Sequence, residues 1–269
     1  MRRSRPFPCA DGTVLNVDTA GEGAPVVFQH GLCGDAGQTH EAFPAEAGFQ
    51  RVTVEARGHG ASQAGELSRL SIPAFASDIA AFIEANLAAP VVTGGISMGA
   101  AIALRLAVKR PELVKALVLV RPAWVTASAP ANMRPNAEAG QLLGALPPEE
   151  ARAAFLASGT GRRLAAEAPD NLASLTGFFS RKPVDVTAAL LTRIAQDGPG
   201  VTDAEIARLS VPVLILGHER DVIHPIASAK ALADRIPLAR FIEITPKAES
   251  RARHVADLHR AIGAFLKDH

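Results

Sequence analysis

The sequence predicts an α/β protein whose mostly parallel, eight-stranded sheet is flanked by helices. Two patterns predict this fold class. Over residues 1–122 and 211–269, short apolar and β-branched runs alternate with segments of helical spacing, which is typical of βαβ units. Residues 123–210 instead contain short helical segments interrupted by prolines and no strand pattern, so we expect a helical insertion after the sixth strand. A chain of 269 residues is near the upper size of a single core, and we expect one domain with an insertion.

Alternation and helical spacing place the individual elements. Residues Phe7 to Asp18 alternate apolar and polar about a turn at Asp11-Gly12, which predicts a hairpin. Apolar residues from Ile72 to Ile83 recur at helical spacing and predict an amphipathic helix that begins near Ser71. The other predicted strands end at His30 and near Glu55 or run from Val91 to Gly94, Val114 to Val120, Val211 to Leu216 and Arg240 to Thr245. The other predicted helices are a short one from Thr39 to Ala47, one ending at Arg110, one from Ala227 to Arg235, and a closing helix with an apolar stripe from Val255 to Leu266.

Charge and hydropathy argue against several classes of partner. The formal net charge of +1 gives no field that would recruit nucleic acid, and the one basic run is the short start Met1-Arg2-Arg3-Ser4-Arg5. Because that start lacks an apolar segment, we expect a frayed tail and no signal peptide. No stretch approaches the ~20 apolar residues of a membrane span. We expect a cytoplasmic protein that acts on a small-molecule substrate, with a homodimer as one possible assembly.

One short turn, Gly95-Ile96-Ser97-Met98-Gly99, carries the strongest chemical signal in the sequence. An apolar run from Val91 to Gly94 precedes it, and a helical run that ends before Pro111 follows it. A serine held between a strand and a helix by flanking glycines is a nucleophile elbow, a turn so sharp that only small neighbours fit beside it. The turn exposes the hydroxyl of Ser97, and the N–H of Met98 at the start of the helix is free to bind an anion.

Four further motifs follow the ends of predicted strands. They are His30-Gly31-Leu32-Cys33-Gly34, Arg57-Gly58-His59-Gly60-Ala61-Ser62, Gly217-His218-Glu219-Arg220-Asp221 with Pro225 beyond it, and His254 at the start of the last amphipathic helix. Together with the elbow, this ordered set makes nearly the whole chain resemble the α/β-hydrolase fold superfamily. The resemblance implies that residues 123–210 form a helical cap over an active site at the carboxyl ends of the strands.

The resemblance also implies a catalytic triad and an oxyanion hole. By motif position, Ser97 is the nucleophile, Asp221 is the acid that orients the base, and His254 is the base. The order Ser, Asp, His along the chain is the order that this fold requires. The backbone N–H groups of Leu32 and Met98 are expected to bind the oxyanion. This chemistry needs no cofactor and no metal.

Alternatives to the acid and the base are present in the sequence. Glu219 lies close to Asp221, and His259 lies five residues beyond His254. The segment from Lys247 to His254 is longer and more charged than the short Gly-His turn that the family has before its last helix. Since loop length decides whether His254 reaches the nucleophile, this departure bears directly on the choice of base.

Several other titratable residues are expected to be structural. His30 and His59 are expected to position backbone. A disulfide between Cys9 and Cys33 is not expected, because it would restrict the oxyanion loop for no evident gain. A cluster around the acid is interpreted as a solvated loop and not as a metal site. Its members are His218, Glu219, Asp221 and His224.

Substrate contacts are expected near the mouth of the site and under the insertion. Three arginines are candidates either to bind a substrate carboxylate or phosphate or to remain solvated: Arg121, Arg251 and Arg253. Cys33 in the oxyanion loop is a further candidate for substrate contact. Apolar residues of the insertion can line a pocket or pack the insertion onto the core, namely Trp124, Met133, Leu142, Leu143, Phe155, Phe178 and Phe179.

The predicted function is a cofactor-free serine hydrolase that cleaves a small to medium carboxylic ester or lactone through an acyl-enzyme. The motif turns look closest to lactonase and carboxylesterase relatives such as the 3-oxoadipate enol-lactonases. The family also contains carbon–carbon bond hydrolases, acyltransferases, hydroxynitrile lyases and perhydrolases that use the same residues, so the resemblance does not choose among these reactions. Serine at the elbow argues against haloalkane dehalogenases and epoxide hydrolases, whose nucleophile is an aspartate. The alternative from another class is a catalytically silent, ligand-binding member of the fold.

Overall fold

The computed structural model describes residues 2–45 and 48–269. Its strands are β1 (Arg2–Pro8), β2 (Val14–Gly21), β3 (Gly23–Gln29), β4 (Gly48–Val54), β5 (Val91–Ile96), β6 (Val114–Val120), β7 (Val213–Gly217) and β8 (Ala239–Glu243). Its helices are α1 (Ala36–Ala42), α2 (Ile72–Asn86), α3 (Met98–Lys109), α4 (Arg134–Ala145), α5 (Pro148–Ala157), α6 (Gly159–Glu167), α7 (Pro169–Phe178), α8 (Val184–Gln196), α9 (Asp203–Ile206), α10 (Ile226–Arg235) and α11 (Arg251–Asp268). None of the helices in these ranges combines the length and the apolar character that crossing a bilayer requires.

The eight described strands form one sheet in the order β1-β2-β4-β3-β5-β6-β7-β8. β2 pairs antiparallel with β1 and β4, and the remaining neighbours pair in parallel. The prediction of a mostly parallel, eight-stranded sheet with flanking helices is therefore confirmed. The prediction of a frayed start is wrong for the described residues, because β1 begins at Arg2 and pairs along its length with β2. The short helix predicted to end at Ala47 is found earlier, as α1, and Ala47 lies outside the described residues.

Both faces of the sheet are covered by apolar side chains. Helices α2 and α3 pack on one face, and α1 and α11 pack on the other. Every residue of β5 is buried, as expected for a parallel strand covered on both sides. The continuous apolar runs that predicted the strands follow from this two-sided burial.

The chain between β6 and β7 carries α4 to α9, and no strand is found among its described residues. We call residues 123–210 the helical insertion. Its helices α4 and α8 approach closely at Gly140, where an added Cβ would lie 2.6 Å from the Thr192 hydroxyl oxygen. Buried side chains from both helices fill the contact, among them Leu143 and Leu191.

The register of the parallel strands brings the predicted motifs to one edge of the sheet. Gln29 at the end of β3 pairs with Gly95, and Ile96 at the end of β5 pairs with Val120. Val120 in turn pairs with Leu216 near the end of β7. The loops after these four strands therefore meet at the same edge, as expected for ligand sites in α/β proteins.

Candidate active site

The elbow between β5 and α3 holds Ser97 in a strained conformation. Its φ of 56° and ψ of −111° lie where non-glycine residues rarely occur, and such outliers concentrate at functional sites. A Cβ at Gly95 would lie 2.5 Å from the carbonyl carbon of Gly99, and a Cβ at Gly99 would overlap the carbonyl oxygen of Gln29. The two glycines are therefore required by the close approach of α3 to the strands, as the elbow motif predicts.

The Ser97 hydroxyl is hydrogen-bonded to the imidazole of His224. Ser97 Oγ lies 2.8 Å from His224 Nε2, although 127 residues separate the two along the chain. The other ring nitrogen, Nδ1, lies 3.0 Å from both carboxylate oxygens of Asp221. Serine, imidazole and carboxylate thus form a continuous chain of hydrogen bonds, the arrangement that activates a serine nucleophile.

His254 does not make the contact with Ser97 that its motif position suggested. Its Nδ1 lies 2.9 Å from the carbonyl oxygen of Thr245, and its ring packs edge-on against His218 at 5.3 Å between centroids. Ser250 caps α11, so the helix begins at Arg251 and carries His254 in its first turn. The alternative His259 lies 2.8 Å from the carbonyl oxygen of Glu41 and is also engaged elsewhere.

Asp221 is held by donors from three directions. Its Oδ2 accepts from Arg121 Nε at 2.9 Å and from Arg121 Nη2 at 2.5 Å. Its Oδ1 accepts from Asn171 Nδ2 at 3.0 Å and from the His224 N–H at 3.0 Å. Burial opposes ionisation of Asp221, but its interactions with His224 and Arg121 outweigh burial and hold its pKa well below the ordinary value.

Asn171, in the first turn of α7, is a site residue that the sequence did not reveal. Its carboxamide oxygen accepts the backbone N–H groups of Val222, at 2.8 Å, and Ile223, at 3.2 Å, while its NH₂ group donates to Asp221. It therefore ties the loop after β7 to the helical insertion. No motif marks this asparagine, because its significance comes only from the contact between two distant segments.

The electrostatics of the site keep His224 neutral near neutral pH. Burial lowers its pKa, Asp221 opposes that shift, and Arg121 adds to it. His224 Nδ1 lies 3.0 Å from both Asp221 oxygens and 3.0 Å from Arg121 Nη2. Because the carboxylate can only accept, we assign the ring proton to Nδ1, which leaves the Nε2 lone pair facing the Ser97 hydroxyl. This is the protonation state that a general base needs.

Two adjacent histidines, His30 and His59, accept backbone N–H groups in the loops after β3 and β4, as the sequence predicted. His30 Nε2 accepts the N–H of Ala56 at 3.0 Å, and His59 Nε2 accepts the N–H of Cys33 at 3.0 Å. Their ring centroids are 4.7 Å apart. Each ring must be neutral to accept these bonds, and burial accordingly lowers the pKa of both histidines.

These two histidines predict an acid-sensitive fold. Their folded pKa values lie below the ordinary value, so the unfolded chain binds more protons as pH falls through about 6.5. We expect the thermal midpoint to fall between pH 7 and pH 5, and the fall to be smaller in His59→Gln, which keeps an acceptor for Cys33 but does not titrate. Exposed His40→Gln is the matched control and is expected to retain the full pH slope. Equal slopes in all three proteins would contradict this account.

Two backbone donors are available beside Ser97. Among the described residues, no backbone hydrogen bond uses the N–H of Leu32 or of Met98, whereas that of Cys33 is taken by His59. Leu32 lines the cavity at Ser97, and Met98 is the first residue of α3. Both groups are therefore free to donate to a ligand.

A cavity of about 110 Å³ lies at Ser97, between the sheet edge and the helical insertion. Met133 and Phe178, which were candidates for pocket lining, do line it. Its other lining residues include Gln38, Arg121, Asn136, Leu175, Ile223 and Lys247. The helical insertion therefore contributes both apolar and polar side chains to the cavity, and Lys247 in the loop before α11 and Arg121 after β6 contribute positive charge.

Three predicted substrate contacts are not found at this cavity. Trp124 is only 1% exposed, its side chain belongs to the hydrophobic core, and its indole N–H donates to the Asp197 carbonyl within the insertion. The Cys33 side chain is not among the lining residues, and burial raises its thiol pKa to about 12. Arg253 is exposed on α11 and lines neither this cavity nor a second, smaller cavity beside it.

The titratable cluster after β7 also contains His218 and Glu219. His218 is buried, and its Nε2 lies 3.7 Å from Asp221 Oδ2 and makes no hydrogen bond with any described residue. Glu219, the alternative acid, is exposed. Across the described ranges, no group of three or more histidine, cysteine or carboxylate side chains is arranged to hold a metal ion.

Comparison with known families agrees with this geometry. A family model described as alpha/beta hydrolase fold matches residues 24–248. The chain belongs to the alpha/beta hydrolase fold family. The matched span of this alpha/beta hydrolase includes Ser97, Asp221 and His224 and ends before His254.

Curated relatives and solved structures extend the comparison. A Mycobacterium tuberculosis protein that carries the name non-heme bromoperoxidase BpoC is 33% identical over 240 residues, covering 86% of this chain and 88% of the relative. The pimeloyl-(acyl-carrier protein) methyl ester esterase of Chromobacterium violaceum is 30% identical, covering 94% and 98%. The solved structure of the esterase EaEST from Exiguobacterium antarcticum has a TM-score of 0.73 at 21% identity, covers 97% and 100%, and shows the shared fold. Together, the family match and these relatives support a hydrolase.

Proposed function

We propose that this hydrolase cleaves a small carboxylic ester or lactone through an acyl-enzyme on Ser97, without a cofactor. The observation that carries the proposal is the continuous hydrogen-bond chain from Ser97 Oγ through the His224 imidazole to Asp221. In this proposal His224, and not His254, is the general base. The acid remains Asp221, as the sequence suggested.

The proposed reaction uses these three side chains in order. Ser97 Oγ attacks the substrate carbonyl while His224 Nε2 takes its proton, and Asp221 stabilises the imidazolium that forms. His224 then donates that proton to the leaving alcohol, and the acyl group stays on Ser97. Water attacks the acyl-enzyme, His224 accepts its proton and returns it to Ser97, and the carboxylic acid leaves.

The N–H groups of Leu32 and Met98 are the proposed oxyanion hole. Neither N–H makes a backbone hydrogen bond with a described residue, and such donors stabilise the charge that develops in the transition state. The loss of one donor of this kind typically raises the barrier by about 3 kcal/mol. The hydrogen bond from Cys33 to His59 supports this role, because it holds the loop that presents Leu32.

The size of the cavity favours a short substrate. Its volume of about 110 Å³ is below the ~300 Å³ at which pockets for drug-sized ligands begin. A methyl or other short ester is therefore favoured over a long acyl chain. Two relatives described above, a methyl ester esterase and an esterase, bear names consistent with ester cleavage.

A fluorophosphonate probe tests the proposal directly. The expected result is one covalent adduct by intact mass in the wild-type protein and none in Ser97→Ala, because only an activated serine reacts. Ser62→Ala is the matched control and should label like the wild type, since the Ser62 hydroxyl is engaged with the Glu55 carbonyl. A wild-type protein that takes no adduct would favour the silent, ligand-binding alternative.

The pH dependence of activity follows from the environment of His224. Since its pKa is lowered, the base is deprotonated at neutral pH, and activity should be lost only below the ordinary histidine range. We expect kcat/KM on a short ester to be level near pH 7 and to fall on an acid limb whose midpoint lies below 6.5. A midpoint above 7 in an initial-rate profile would contradict the assignment.

A further inference from the structure

A second cavity adjoins the one at Ser97, and cationic side chains line it. Its volume is about 50 Å³. Both cavities are lined by Gln38, Ile96, Arg121 and Lys247. Arg251, His254 and Glu41 complete the polar lining of the second cavity. We call Arg121, Lys247 and Arg251 the basic subsite.

The three cations of the basic subsite differ in their partners. Arg121 pairs with Asp221 through Nε and Nη2, and its Nη1 makes no hydrogen bond with a described residue. Arg251 pairs with Glu41 at 2.6 Å between Nη2 and Oε1. Half-buried Lys247 has neither a hydrogen bond nor an ion pair within the part of the chain that the structure describes. The subsite therefore contains a cation that has no ion-pair partner among the described residues.

Two acidic groups act on Lys247 without forming an ion pair with it. Glu41 is already paired with Arg251, and both Glu41 and Asp170 act on Lys247 only through their fields. Burial lowers the pKa of Lys247, and the positive charges of Arg121 and Arg251 lower it further. A bound anion would offset this repulsion, and it would receive charge-assisted hydrogen bonds from the cations.

We propose that the basic subsite binds a carboxylate of the substrate, so that the ester cleaved at Ser97 is a short anionic ester. The proposal rests on the function proposed above and names the substrate class of the same serine. Lys247 Nζ and the free Nη1 of Arg121 are its donors. Because both residues also line the cavity at Ser97, a short chain joins the scissile carbonyl to the bound carboxylate.

Three esters test this specificity. Methyl butyrate is neutral, monomethyl succinate carries a carboxylate on the acyl side, and acetoxyacetate carries one on the alcohol side. We expect the wild-type protein to prefer one of the anionic esters by kcat/KM. In Lys247→Met the ratio of anionic to neutral kcat/KM should fall by about tenfold or more, and Lys247→Arg should largely restore it. Thermal midpoints establish that each variant is folded.

Asp170→Asn provides a variant with the opposite expected sign. One oxygen of the Asp170 carboxylate, Oδ2, is buried and accepts no hydrogen bond within residues 2–45 and 48–269. The negative charge of this carboxylate opposes an incoming anion. Neutralising it should lower KM for the preferred anionic ester and leave KM for methyl butyrate within about twofold. An anionic to neutral ratio that changes in neither the Lys247 nor the Asp170 variant would overturn the subsite.

A binding measurement separates failure of the subsite from failure of the proposed function. Calorimetric titration of Ser97→Ala with succinate needs no turnover, and we expect binding that is lost in Ser97→Ala/Lys247→Met. If no ester is hydrolysed but succinate binds through Lys247, the esterase proposal fails and the subsite stands. If neutral esters are hydrolysed at Ser97 but succinate binding does not depend on Lys247, the subsite is overturned.

Discussion

Replacing His224 with alanine is expected to lower kcat/KM on a short ester by about 10⁴-fold or more, the loss typical of removing a triad member. The physical reason is that Ser97 would lose the acceptor that lies 2.8 Å from its hydroxyl. Initial rates with the neutral ester measure the effect. The variant should remain folded, because His224 packs at the edge of a cavity.

His254→Gln is the matched control for this prediction. A glutamine side chain can still donate to the Thr245 carbonyl, so the first turn of α11 should be preserved. We expect its kcat/KM to stay within about tenfold of the wild type, since His254 makes no described contact with Ser97. If His254→Gln lost activity and His224→Ala retained it, the base would be His254 and the loop before α11 would have to move during catalysis.

Asp221→Asn is expected to reduce kcat by about 10⁴-fold, as the loss of the orienting carboxylate does in a serine triad. The amide group would set a donor against His224 Nδ1 or Arg121, and the imidazole would no longer be held in its productive tautomer. The side chain is only 1% exposed, so Arg121 would also be left with an uncompensated charge. Breaking a buried pair in this way costs about 3 to 5 kcal/mol, so the thermal midpoint should fall as well.

Glu219→Gln is the control for the acid. Glu219 lies on the same loop but is exposed, and none of the described hydrogen bonds or ion pairs involves its carboxylate. Its kcat and thermal midpoint should match those of the wild type. A larger kinetic loss in Glu219→Gln than in Asp221→Asn would reverse the assignment of the acid.

The parts of the fold that the sequence predicted well are those with periodic, two-sided burial. The parallel strands β5, β6 and β7 are covered on both faces, and their continuous apolar runs made them visible. The edge strand β1 was partly missed because its outer residues are exposed and basic. Residues Arg2 to Arg5 show no apolar periodicity, and they form a strand because their backbone pairs with β2.

Within the candidate site, local signals identified Ser97 and Asp221, and long-range packing selected the imidazole. The elbow is determined within five residues, because Gly95 and Gly99 are needed wherever a helix crosses a strand end so closely. The sequence places His224 only in a loop interpreted as solvated, because an imidazole three residues after an acid forms no distinctive motif.

The sequence by itself determined the fold class, the order of the elements and the elbow at Ser97, because these depend on burial periodicity and on local sterics. Only the tertiary structure decided which histidine contacts Ser97 and which cation of the basic subsite has no partner among the described residues. The start of α11 at Arg251 holds His254 on the Thr245 carbonyl, while Asn171 from the insertion fixes the loop that carries His224. Contacts between segments so far apart depend on how helices and loops pack in three dimensions, and local sequence patterns do not predict that packing.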